Sequence, residues 1–112
     1  MPKRTEESIR SNIEEWLDTD ERLLEFTVGD REGIMAETIV ALTSSGIRLG
    51  SVTGGKTIPL SAIRYVKWSG LGARLNIGTA SPSKRLVYSI NGKEWRGRAA
   101  KLAQAWADLE QS

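Results

Sequence analysis

The sequence predicts an α+β fold that is mainly β: about seven antiparallel strands capped by a C-terminal helix, with an extra helix at the N-terminus. Three observations predict it. Between residues 22 and 90 short runs of alternating apolar and polar residues are separated by Gly, Ser, Asn and Asp, the pattern of half-buried strands joined by tight turns. From residue 95 onward Trp95, Ala99, Leu102, Trp106 and Leu109 fall on one helical stripe. Ile9, Ile13, Trp16 and Leu17 form a second, shorter stripe near the start. A chain of 112 residues is expected to build one core.

The division that follows is an amphipathic N-terminal helix and linker over residues 1–20 and a β-rich domain over 21–112. Asp18-Thr-Asp20 ends the first stripe. Arg22 to Val28 alternates, with Leu24, Phe26 and Val28 on one side, and Gly29 to Gly33 is the turn after it. Glu37 to Thr43 is apolar and β-branched, Ser44-Ser-Gly46 turns the chain, and Ile47-Arg-Leu49 resumes a strand. Gly54-Gly55 reads as a hairpin turn joining Leu49–Thr53 to Lys56–Leu60.

Ile58, Leu60, Ile63, Val66 and Trp68 then break regular alternation, which a strand turning a corner at Leu60–Ile63 through a bend or bulge explains. Ser69 to Gly72 is a turn. Ala73 to Thr79 alternates with Leu75 and Ile77 inward, Ala80 to Ser83 is a loop, and Lys84 to Ile90 closes the series with Leu86, Tyr88 and Ile90 on one face. Asn91 and Glu94 have the spacing of a capping box, so the last helix is expected to start there.

Composition narrows function before any motif does. The chain contains no His and no Cys, which removes zinc and iron–sulfur ligation, thiol nucleophiles and the usual general base. Ser44, Ser45, Ser81 and Ser83 lie in turns, and Asp18, Asp20 and Glu21 lack the spacing of a calcium loop. The expectation is a non-enzyme without cofactor or metal. Met1 to Ser8 turns acidic where a secretory signal would turn apolar, and no run approaches the roughly 20 apolar residues that span a bilayer, so a cytoplasmic location is expected.

Gly50 to Thr57 reads GSVTGGKT and satisfies the phosphate-loop pattern G-x-x-x-x-G-K-[ST]. That motif needs its Lys-Thr to open a helix whose amides hold phosphate. Here Ile58-Pro-Leu60 follows, and proline keeps the residue before it extended. No nucleotide is expected.

The strand end Val40-Ala-Leu-Thr43, the strand Ile47-Arg-Leu49 and the corner Ile58-Pro-Leu-Ser-Ala-Ile-Arg-Tyr-Val66 resemble the bacterial pleckstrin-homology-like (PH-like) domains, over about residues 21 to 110. The resemblance implies a PH-like barrel or sandwich, and an adaptor or self-assembling role. In eukaryotic relatives that bind inositol phosphates, bases cluster on the loop joining the first two strands. The matching loop here, Gly29-Asp-Arg-Glu-Gly33, carries one base between two acids, so no binding residue is carried over.

Charge is segregated along the chain. Up to residue 55 six bases face eleven acids, whereas from Lys56 onward ten bases face three acids. Such asymmetry fits an anionic partner, head-to-tail self-association, or two halves that neutralise each other within one fold. If Val66 and Trp68 point inward, Tyr65 and Lys67 point out with Arg74 and Arg85. The candidate partner surface is Arg64, Tyr65, Lys67, Trp68, Arg74, Lys84 and Arg85, with Tyr65 or Trp68 as its aromatic anchor. Ile9, Ile13, Trp16 and Leu17 are candidate oligomer contacts, across which the helix could meet a second copy or its own sheet. The expected partner is a protein or the chain itself as a homo-oligomer; weakly bound anionic lipid or nucleic acid is the alternative.

Overall fold

In a computed structural model describing residues 5–33, 36–51, 54–80 and 83–111, the chain opens with α1 (Glu6–Trp16). Thr5 caps it: the Thr5 hydroxyl oxygen accepts the Ser8 N–H at 3.1 Å, and Glu6 and Glu7 sit at the positive end of the helix dipole. Seven strands follow, β1 (Leu23–Arg31), β2 (Ala36–Thr43), β3 (Gly46–Ser51), β4 (Gly54–Pro59), β5 (Ile63–Ser69), β6 (Arg74–Ala80) and β7 (Ser83–Ser89), and then α2 (Lys93–Gln111). All strand pairs are antiparallel, in one sheet of order β4-β3-β2-β1-β7-β6-β5.

The mainly β, α+β expectation therefore holds, as an open sheet: β4 and β5 are its two edges. The sheet consists of two meanders, β1–β4 and β5–β7, joined where β1 meets β7 through the pairs Asp30↔Ser89 and Arg31↔Tyr88. One apolar core gathers Val40, Leu42, Ile47 and Leu49 from the first meander with Leu75, Ile77, Leu86 and Tyr88 from the second. Ala99, Leu102 and Trp106 of α2 close it, as the helical stripe predicts.

A second core lies on the other side of β1 and β2. Ile9 and Ile13 of α1, both fully buried, pack on Phe26, Val28, Ile39 and Ala41. The first two strands are thus covered on both faces. Phe26 and Val28 turn toward α1, while Thr27, between them, is buried and donates its hydroxyl to the Trp95 carbonyl at 2.7 Å. Leu24, expected beside Phe26, stays partly exposed. Arg98 of α2 ties the layers together: its guanidinium pairs with Glu6 of α1 and with Glu25 of β1 (2.6 Å), and lies 4.5 Å over the Phe26 ring.

Local details depart from the sequence reading at the β3–β4 hairpin and at the start of α2. Gly54 and Gly55 are the first residues of β4, with Gly55 opposite Gly50 and Ser51 opposite Gly54; residues 52 and 53, between the two strands, lie outside the described set. A Cβ at Gly55 would stand 1.7 Å from the Leu49 carbonyl oxygen, so glycine is needed there for close backbone approach rather than for the turn. At the other end of the sheet α2 begins at Lys93, and the Asn91 amide turns to Asp30 Oδ2 at 3.3 Å rather than forming the expected capping box. The predicted corner is a 3-10 turn, Leu60–Ala62, followed by an irregularity between Ile63 and Tyr65. The extra residue there, Arg64, is why Ile63 and Val66 are both buried although three positions apart.

A candidate interaction face on the second meander

Downstream of Arg64 regular alternation returns, and register sets the outer face of β5–β6–β7. Tyr65 lies opposite Gly78, which lies opposite Arg85; Lys67 lies opposite Asn76, which lies opposite Val87. The Tyr65 ring covers Gly78, since a Cβ at that glycine would come within 2.1 Å of the ring. Lys67 Nζ sits 5.2 Å from the centre of the same ring, a cation–π distance. Glycine thus provides the floor on which the aromatic lies flat, and the lysine holds it from above.

Arg74 shares this face, yet its charge is spoken for. Its guanidinium pairs with Glu32, from the turn after β1, and the Ser89 hydroxyl donates to the same carboxylate oxygen at 3.2 Å. The hydrogen bond from Arg74 holds the Glu32 carboxyl below its ordinary pKa. Among the described residues no carboxylate pairs with Lys67, Arg85 or Arg64.

The seven candidate surface residues do not form one patch. Tyr65, Lys67, Arg74 and Arg85 share the outer face. Trp68 is turned to the other side and packs, partly buried, against the main core, so it is no exposed anchor. Lys84 is displaced for the same geometric reason: it precedes the buried Leu86 by two positions and lines a cleft on the inner side of β7. Arg64 sits in the bulge, outside the paired rows.

The candidate oligomer contacts Ile9 and Ile13 are covered by their own sheet, and Trp16 and Leu17 are partly buried against the same core. Ser44 and Ser45 serve the backbone: Ser44 Oγ accepts the Arg22 N–H at 2.9 Å, and the Ser45 N–H donates to the Thr43 hydroxyl at 3.1 Å. Lys56 and Thr57 of the phosphate-loop pattern are strand residues of β4, not the opening of a helix.

Sequence reasoning missed one buried network. Glu21, grouped in the sequence only with Asp18 and Asp20, is buried, and its carboxylate accepts from Arg48 Nε (2.9 Å) and Nη2 (2.5 Å), from the Thr43 hydroxyl and from the Asp18 N–H (3.1 Å). Arg48 also donates to the Thr57 hydroxyl at 3.1 Å, which links the α1–β1 linker to β2, β3 and β4. The Arg48 hydrogen bonds, reinforced by those of Thr43 and Asp18, lower the Glu21 pKa to about 2 against the opposing effect of burial. No protein-family model, curated protein or solved structure matches the chain.

Proposed function

We propose that this chain is a non-catalytic, PH-like binding module of the adaptor type, working in the cytoplasm, and that it meets a protein partner, or a second copy of itself, through the outer face of β5–β6–β7. The observation that carries the reading is the Tyr65 ring held flat over Gly78 beneath Lys67. An immobilised aromatic with a neighbouring cation gives contact area at low entropic cost, the composition of interface anchors. The unpaired edges of β4 and β5 add a route to self-association. Among the described residues no helix is long and apolar enough to cross a membrane.

A second reading, attachment to an anionic surface, has Lys67 and Arg85, which form no salt bridge among the described residues, in its favour. Magnitude decides against it. Each base near an anionic membrane contributes about 1 kcal/mol, so two leave the domain more weakly held than one myristoyl chain would. The test is a photo-reactive phenylalanine at position 65, with a control at Lys101 on α2, irradiated in the native cell. Discrete adducts at 65 alone, lost when Lys67→Glu and Arg85→Glu are added, support the reading, and an adduct of twice the chain mass identifies self-assembly. Identical adducts at both positions refute it, and co-sedimentation with acidic vesicles at physiological salt would favour the membrane.

A further inference from the structure

The two meanders meet along the narrow β1–β7 seam, and the opposite edge of the first, β4, is not paired with the second. Between them lies an open cleft of about 180 Å³ on the inner side of the sheet. Its floor is apolar, made by the core residues Ile58 and Leu86 with Ala62 of the 3-10 turn. Lys56 reaches it from β4 and Lys84 from β7. Among the described residues no carboxylate lines the cleft and none pairs with either lysine.

We propose that this cleft binds a small amphipathic carboxylate, its acid group held by Lys56 and Lys84 and its apolar body laid on Ile58, Ala62 and Leu86. Charge sets the sign of the ligand: two ammonium groups without a counter-ion favour an anion, and apolar surface between them excludes a purely hydrated one. Volume sets the size. An apolar cavity of about 150 Å³ holds one benzene ring, so a cleft of 180 Å³ has room for a single ring or a medium-length acyl chain. The site is independent of the outer face, because Lys84 and Arg85 are neighbours on β7 that point to opposite sides of it.

The experiment is a titration of the isotope-labelled chain with octanoate, octanol and octylamine, which share a tail and differ in head-group charge, followed by amide chemical shifts. Octanoate is expected to shift residues 56–59 and 84–86 saturably. Octanol should bind at least about tenfold more weakly and octylamine not at all, since a charge-assisted contact is roughly twice as strong as a neutral one. Lys56→Gln and Lys84→Gln, both at exposed positions, should each weaken octanoate about five- to tenfold. Ala62→Trp should fill the cleft and remove binding with both lysines in place. Equal binding of the three ligands, shifts confined to other surfaces, or octanoate affinity unchanged in both lysine variants would overturn the proposal.

Discussion

Replacing Glu21 by Gln keeps the shape of the side chain and removes its charge. The carboxylate it replaces is 1 % exposed and sits on an Arg48 side chain that is 17 % exposed, so solvent screens the pair little. A folded-state pKa of about 2 against an ordinary 4.5 means that ionised Glu21 contributes about 3 kcal/mol to folding. The variant is expected to lose about 2–4 kcal/mol at pH 7, the lower part of the range arising because the exposed Asp18, 3.5 Å from Arg48, takes over some of its charge. Because the folded pKa is depressed, this stability is complete above the unfolded value and disappears as the pH falls from about 5 to about 2. Urea unfolding of both proteins across that interval isolates the Arg48 cluster, since carboxylates that do not touch Arg48 cancel in the difference. The gap between the two curves should be about 3 kcal/mol at pH 7 and close at the acid end. A gap that stays constant from pH 7 to the acid end, or one under about 0.5 kcal/mol at pH 7, within the scatter of ordinary surface changes, would refute the reasoning.

Ile13→Ala opens a hole between α1 and the outer side of β1–β2, and should cost about 3 kcal/mol in denaturant unfolding while leaving the light-scattering mass unchanged; a drop in mass with intact stability would mean that α1 serves a neighbouring copy. Lys56→Ala should change stability by less than about 0.5 kcal/mol, and ATP should not raise the melting temperature of either form; a rise confined to the wild type would restore the phosphate-loop reading.

Most elements were legible because their signals are local. The Trp95-to-Leu109 stripe needs nothing beyond its own period to announce α2, and the break in alternation between Leu60 and Val66 located the 3-10 turn and the bulge. The two-sided burial of β1 was not legible. Phe26 and Val28 have the same spacing whether they face the main core or α1, and only the docking of Ile9 and Ile13 decides. The ion pairs were invisible for a related reason: Glu21 and Arg48, or Glu32 and Arg74, are joined by strand order across tens of residues, with no periodic mark on either partner. The split between Lys84 and Arg85 was available in principle, since a strand that buries Leu86 and Tyr88 must turn Lys84 the same way. Grouping those two bases by charge hid what their parity says.

The seam where β1 meets β7 has a consequence for how the chain reaches its structure. Every other pairing in the sheet joins strands adjacent in sequence, so each meander can zip from its own turns with short loops to close. Asp30 and Ser89 are far apart along the chain, and their pairing demands the costliest loop closure in the sheet for only two residue pairs of ladder. Burial of Leu102 and Trp106 between the meanders offsets that cost, so α2 is the clasp without which the seam has little reason to close. During synthesis α2 emerges only after all seven strands. Until it emerges the two half-sheets expose the surfaces that become the core, and the time spent in that state is set by how quickly one helix can find both.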